Sequence, residues 1–104
     1  MNTGDTYFLV LYIINVFQPV SREDMLAEVT KTATIQNDAP NRQIVLDALK
    51  KLIRGQLVIE ERGLLSSTIL GTQRAAKLGL RRSRDKNRLF FLKNLLRHEY
   101  NGRR

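Results

Sequence analysis

Residues 41–63 read NRQIVLDALKKLIRGQLVIEERG, and the rest of the chain is best interpreted outward from them. The first part places apolar residues at helical spacing, on a face more than roughly 100° wide. They are Ile44, Val45, Ala48, Leu49, Leu52 and Ile53. The opposite side carries Gln43, Asp47, Lys50 and Arg54, with Lys51 at its edge. This pattern predicts an amphipathic helix with one polar, partly basic side.

The residues that follow predict a helix stop and a β-hairpin. Gly55 is expected to supply the left-handed residue that ends the helix. Residues 57–61 (LVIEE) predict a strand, and Arg62 with Gly63 predicts a tight turn. Residues 68–70 are expected to form the tail of the returning strand. The whole stretch therefore predicts a helix followed at once by a hairpin.

A helix with a partly basic side, a glycine stop and an immediate hairpin resembles a small winged helix-turn-helix protein. The downstream LGTQRAAKLG strengthens the resemblance, which covers residues 5–79. It implies an α+β, mainly α fold: a winged helix with a three-helix core and a β-hairpin wing over residues 1–80. Residues 81–104 would then be a basic dimerisation helix and tail. It also implies a homodimeric transcriptional regulator that binds double-stranded DNA.

Composition limits the classes of function. A chain of 104 residues forms one domain with a modest core. It has no cysteine and only one histidine, His98, so we expect no disulfide, no metal site and no cofactor. The longest apolar run, residues 7–14, is far shorter than the roughly 20 residues that span a bilayer. No basic segment precedes it, so we expect no signal peptide and no membrane contact. These features predict an intracellular, cytoplasmic protein, associated with the nucleoid when it binds DNA.

The net charge of +8 is concentrated in the last third of the chain. Residues 1–73 hold seven Lys/Arg and eight Asp/Glu, whereas residues 74–104 hold eleven and two. Such a block favours a polyanionic partner, although a solvated helix face with a soluble tail is the alternative. A dense basic cluster is expected to flank the duplex and add sequence-independent affinity. It comprises Arg74, Lys77, Arg81, Arg82, Arg84, Lys86 and Arg88.

The N-terminal segment predicts a helix over residues 6–17, capped by Asp5 and ended by Gln18 and Pro19. It is apolar almost all round, so it must be covered on more than one side. A core helix shared with a dimer interface fits this pattern, and a buried strand is the alternative.

A second helix is predicted to begin after Ser21, a good N-cap with Asp24 at the capping-box position. Val20 and Met25 have the spacing of a hydrophobic staple. The helix is expected to end at residue 31 or 32. Residues 33–40 then form a loop, with Asp38 or Asn41 capping the next helix.

The C-terminal region predicts two more helices. Thr72 is expected to cap a short one over residues 72–79, which Gly79 and Ser83 weaken or break. The last spans residues 84–100 and carries a wide apolar stripe, which either meets a second copy of the chain or folds back on the first helix. The residues that we predict at a dimer interface are Phe8, Tyr12, Leu89, Leu92, Leu95 and Leu96.

The sequence argues against an enzyme. The single histidine has no serine or cysteine nucleophile in a recognisable arrangement. Two adjacent carboxylate pairs occur, Glu23 with Asp24 and Glu60 with Glu61, but neighbouring residues on one element point in different directions. No glycine-rich phosphate loop is present.

Three places are candidates for DNA contact. At the start of the central helix, Asn41, Arg42 and Gln43 have side chains that can bind base edges in the major groove. Lys50, Lys51 and Arg54 are better placed for phosphates. Asp47 opposes this role unless it pairs with Lys50 or Lys51.

The other two places lie outside that helix. Ser21 and Arg22 suit a phosphate at the start of the second helix. Arg62, with Ser66 and Ser67, could reach DNA from the hairpin, where Glu60 and Glu61 would repel it. An exposed amphipathic face without a ligand, a protein-interaction adaptor, and non-specific RNA or DNA binding through the basic end remain the alternatives.

Overall fold

The computed structural model describes residues 3–34 and 40–82, and within these ranges the chain is mainly helical with one small antiparallel sheet. It is an α+β structure, mainly α, as the sequence predicts. The elements in chain order are α1 (Thr3–Phe17), β1 (Val20–Ser21), α2 (Arg22–Thr34), α3 (Arg42–Arg54), β2 (Val58–Glu61), β3 (Leu64–Ser67) and α4 (Ile69–Arg82).

Helix α1 lies at the centre of the core. It packs against α3, α2, α4 and β3. Its middle turns are buried almost all round, which confirms that this segment is covered on several sides and is a helix, not a strand. The apolar residues of α1 at 0–1% exposure are Phe8, Leu9, Val10, Leu11, Ile13 and Ile14. The helix begins at Thr3, so Asp5 lies inside its first turn and is not its cap. It ends at Phe17, just before Gln18 and Pro19, as predicted.

The start of α2 follows the prediction. The Ser21 Oγ accepts a hydrogen bond from the Asp24 N–H at 3.1 Å, and Val20 and Met25 are both buried beside this cap. The helix continues to Thr34, beyond its predicted end, because Thr32 and Ala33 extend the buried stripe by another turn. Residues 35–39, including the alternative cap Asp38, lie outside the described residues.

Helix α3 begins as predicted but ends differently. Asn41 is its N-cap, with the side-chain Oδ1 accepting from the Ile44 N–H at 2.9 Å. The left-handed residue at the other end is Gln56, at φ 63°, whereas Gly55 has φ −80°. The prediction for Gly55 is therefore wrong by one position. The Leu57 N–H donates to the Leu52 carbonyl and the Gln56 N–H to that of Ile53, both at 3.0 Å, which is a Schellman motif centred on Gln56.

The predicted hairpin is confirmed. Strands β2 and β3 pair antiparallel from Val58 with Ser67 to Glu61 with Leu64. Arg62 and Gly63 have φ values of 54° and 77°, the left-handed pair that a two-residue type I′ turn requires. The sequence did not predict β1, which is two residues long and pairs with β3 to give the order β1-β3-β2.

Residues 68–70 are not the tail of a strand, because α4 already starts at Ile69. Thr68, not Thr72, is its cap: the Thr68 Oγ1 accepts from the Gly71 N–H at 3.0 Å. Gly71 lies so close to β2 that a Cβ there would overlap the Leu57 carbonyl. The helix passes through Gly79 and continues to Arg82, so Gly79 does not break it. Ser83 and the predicted helix over residues 84–100 lie outside the described residues.

Candidate nucleic-acid interface

The polar side of α3 faces solvent opposite the core. Gln43, Asp47, Lys50 and Arg54 are exposed, while Val45, Ala48, Leu49 and Leu52 are buried on the other side. One departure is Ile44, which was expected on the apolar face but is 42% exposed. A groove of about 640 Å³ runs along the polar side. It is lined by Arg22, Gln43, Leu46, Asp47, Lys50, Ile53, Arg54 and Glu60.

Arg22, a predicted phosphate contact, is paired within the chain. Its Nε and Nη2 donate to the two carboxylate oxygens of Glu60, each at 2.8 Å, and so tie the first turn of α2 to β2. This hydrogen bonding raises the pKa of Arg22 and holds the pKa of Glu60 below its ordinary value. Glu60, expected only to repel DNA, therefore positions an arginine at the edge of the groove.

Arg42, which the sequence predicts to contact a base edge, is also paired within the chain. Its Nη2 donates to the Glu23 Oε1 at 2.7 Å and its Nη1 to the Oε2 at 3.4 Å. Hydrogen bonding from Arg42 lowers the pKa of Glu23. Both side chains are largely exposed, and such surface pairs contribute little stability. The pair can therefore open at small cost when a competing anion approaches.

Gln43 and Asp47 form a third internal contact. The Gln43 Nε2 donates to the Asp47 Oδ1 at 2.9 Å, one helical turn away. The pairing of Asp47 with Lys50 or Lys51 that the spacing allows does not form within the described residues.

The second half of α3 carries cations without such partners. Lys50, Lys51 and Arg54 are exposed, and within residues 3–34 and 40–82 none of them has a side-chain hydrogen bond or ion pair. Arg62 is exposed at the hairpin turn. These are the positions at which a phosphate would displace no internal carboxylate.

Helix α4 extends the basic surface. Arg74 and Lys77 are exposed, and the positions of Arg81 and Arg82 belong to the same helix. Burial raises the pKa of the Tyr7 hydroxyl, and Arg74 is close enough to lower it in part. Tyr7 also lines a cleft of about 370 Å³ between α1 and α3, together with Lys51. Arg84, Lys86 and Arg88 lie outside the described residues.

Four polar residues that the sequence predicts to contact DNA have roles or positions within the fold itself. They are Ser21, Asn41, Ser66 and Ser67. Ser21 and Asn41 are helix caps. Ser66 is half-buried opposite Ile59, and Ser67 lies at the base of the hairpin, away from its tip. The predicted contact between Ser67 and DNA from the wing is therefore not supported by its position.

Ser67 instead joins a network that the sequence analysis missed. Its N–H donates to the Gln18 Oε1 at 3.0 Å, and its Oγ donates to the Asn15 Oδ1 at 2.9 Å. The Thr72 Oγ1 also donates to Asn15, at 3.1 Å. One signal was available, because Asn15 interrupts the otherwise apolar run of α1.

The residues predicted at a dimer interface differ in how much surface they expose. Phe8 is fully buried within the single chain, with its ring 5.6 Å from that of Tyr12, and so has no surface to offer a partner. Tyr12 is half-buried. Leu89, Leu92, Leu95 and Leu96 lie outside the described residues.

Residues 3–34 and 40–82 contain no group of three His, Cys, Asp or Glu side chains that could hold a metal ion. In the same ranges, each helix is too short or too polar to cross a membrane. Comparison of the chain with protein-family models, curated proteins and solved structures gave no match.

Proposed function

We propose that the chain is a winged-helix protein that binds double-stranded DNA as a homodimer and regulates transcription, with α3 in the major groove. The observation that carries the proposal is the exposed side of α3, where Lys50 and Arg54 line a groove. Within the described residues these two side chains and that of Lys51 have no hydrogen bond or ion pair. The order of elements supports it, because a helix, a short strand, two helices and a hairpin with strand order β1-β3-β2 resemble a winged helix.

In this proposal the cations have different roles, which the contacts within the chain support. Lys50, Lys51 and Arg54 bind phosphates and supply affinity for any duplex. Arg22 and Arg42 reach DNA only after leaving Glu60 and Glu23, so they contribute less net free energy. Arg74 and Lys77, which are exposed on α4, add phosphate contacts from that helix.

A second candidate function is a protein-interaction adaptor. It is favoured by exposed apolar side chains on the hairpin and at the start of α4. Ile59 and Leu64 are 43% and 42% exposed, and Ile69 is 83% exposed. Ile59 and Leu64 lie on the same face of the sheet, because their strand partners are Ser66 and Glu61 in an antiparallel register.

The test is fluorescence anisotropy of the full-length protein with duplex DNA from upstream of its own gene and with random duplex, each at two salt concentrations. We expect tighter binding to the upstream fragment and weaker binding to both at high salt. Lys50→Ala should weaken both complexes. Lys31→Ala is the matched control, because Lys31 is an exposed lysine on α2 that does not line the α3 groove. Equal effects of the two substitutions would contradict the proposed interface.

The oligomeric state needs its own measurement. Light scattering should give twice the 12.0 kDa chain mass at micromolar concentration. A dimer also requires two half-sites separated by about one helical turn of DNA or a multiple of it. A monomer that binds a single half-site would refute the homodimer while leaving the role of α3 intact.

A further inference from the structure

Asp47 is the acidic residue on the polar side of α3, and a carboxylate is not expected on a surface that binds the phosphates of DNA. Asp47 is exposed between Gln43, four residues earlier, and Lys50, three residues later, and it also lines the groove. Its contribution to helix stability is small, because an exposed pair one turn apart adds little. Folding alone therefore gives no strong reason for a carboxylate at this position.

The contact with Gln43 fixes which atoms this pair presents. An ionised carboxylate can only accept hydrogen bonds, so the Gln43 amide must donate its Nε2–H to the Asp47 Oδ1. The Gln43 Oε1 and the Asp47 Oδ2 have no hydrogen bond to another described residue. Two neighbouring oxygens on the exposed side of α3 are thus available as acceptors.

We propose that Gln43 and Asp47 act together as a sequence-specificity determinant that accepts a hydrogen bond from the exocyclic amino group of a base in the major groove. This proposal rests on the proposed function of α3. Cytosine N4 is the favoured partner, because a carboxylate accepts from it. Adenine is less favoured, because its N7 acceptor lies beside N6 and would face the carboxylate, and one of the two Gln43 Nε2–H donors is already used by Asp47.

The same atoms disfavour other base edges. Guanine O6 and thymine O4 are acceptors, so they would face the carboxylate without a proton between them. Lys50 and Arg54 lie further along the same side of α3 and provide positive charge toward the phosphates. Attraction to the backbone and selection at the base edge are thereby assigned to different residues of one helix.

The experiment is selection of binding sites from a randomised duplex pool by the full-length wild-type protein and by the Asp47→Asn variant. Glu61→Gln is the matched control, because it removes the same charge from an exposed position on β2 outside the groove. We expect wild type and Glu61→Gln to select cytosine at one position of each half-site. Asp47→Asn should reduce that preference about 5- to 100-fold while binding random duplex at least as tightly as wild type.

The outcomes separate this inference from the proposed function. If Asp47→Asn selects the same bases as wild type with the same strength, Asp47 does not recognise a base, although α3 can still bind DNA. A wild-type preference that changes equally in Glu61→Gln would also overturn the inference, since the effect would then be one of charge alone. If wild type binds no duplex at all, the proposed function fails with it. Circular dichroism of each variant checks that the helices are retained.

Discussion

The two ends of helix α3 carry similar polar and basic side chains but are held in different ways. At the N-terminal end, the side chains themselves make the contacts: Asn41 caps the helix, Arg42 binds Glu23 and Gln43 binds Asp47. At the C-terminal end, the main chain makes them, through the Gln56 and Leu57 amides. Side chains at the C-terminal end are therefore available for a ligand without loss of structure, whereas Asn41 and Arg42 at the N-terminal end must first give up a contact.

The largest loss of stability is expected from disturbing the contact between Gly71 and the main chain of Leu57, which follows the C-terminal end of α3. Gly71→Ala should lower the free energy of unfolding by about 3 kcal/mol, because the new Cβ would overlap the Leu57 carbonyl and force α4 away from β2. Urea unfolding measures this change. Gln73→Ala, an exposed substitution on the same helix, is the control and should stay within about 0.5 kcal/mol of wild type. Equal stability of Gly71→Ala and wild type would show that the close approach of α4 is not required.

Removing the free cations should affect binding and leave folding alone. The double variant Lys50→Ala/Arg54→Ala should bind random duplex about tenfold more weakly at 0.15 M salt, with a salt slope smaller by about 2. Its thermal midpoint should match that of wild type. Arg42→Ala is the comparison at the other end and should lose no more than about threefold, because Arg42 gives up its bond to Glu23 on binding. A larger loss of affinity in Arg42→Ala than in the double variant would show that the N-terminal end of α3 contributes more to duplex binding than the C-terminal end.

Removing the N-terminal cap of α3 should have the opposite result, a loss of stability with little effect on DNA binding. Asn41→Ala should lower the free energy of unfolding by about 1 kcal/mol, since the Ile44 N–H loses its acceptor. Asn41→Ser restores an acceptor at the same position and should recover most of the loss. If Asn41→Ala were fully stable but failed to bind DNA, Asn41 would be a base-contacting residue and not mainly a cap.

The smallest effect concerns the pair of Arg22 and Glu60. Because hydrogen bonding from Arg22 lowers the pKa of Glu60, the pair stabilises the fold above the usual pKa of a glutamate, and this contribution is lost as the pH falls through the lowered value. Glu60→Gln should therefore cost less than about 1 kcal/mol at pH 7, and this cost should shrink toward pH 3. Unfolding curves at the two pH values measure the difference.

The same substitution should release Arg22 toward the groove. We expect Glu60→Gln to bind random duplex a few-fold more tightly than Glu61→Gln, which removes the same charge without freeing an arginine. Equal affinities of the two variants would show that Arg22 does not reach the phosphates.

The sequence predicted the features that depend on local pattern and missed those that depend on tertiary contact. The α3 helix, its Asn41 cap and the turn at Arg62 and Gly63 follow from apolar periodicity and residue type over a few positions. The partner of Arg22 lies 38 residues away, and β1 has only two residues, so neither leaves a periodic signal. The error at Gly55 has a different cause: preference favours glycine, but hydrogen bonding to Leu52 and Ile53 placed the left-handed residue at Gln56.

For the candidate site as well, the sequence predicted the local pattern and missed the contacts between elements. Residue types indicated which side of α3 is polar, and the structure agrees. They could not show that Arg42 and Arg22 are engaged within the chain, because these contacts join α3 to α2 and α2 to β2. The contact of Gln43 with Asp47 is local to α3, and its spacing of four residues was a signal that the sequence already carried.

The strand order also bears on how the protein avoids aggregation. Within the described residues, β1 and β2 are the edges of the sheet, and exposed edges can pair with strands of other chains. The β1 edge is two residues long and lies between Pro19 and the start of α2, so an incoming strand finds almost no ladder to extend. The β2 edge ends in Glu60 and Glu61, whose charges oppose stacking of a second copy. A short edge on one side and an acidic edge on the other thus keep this small sheet from growing.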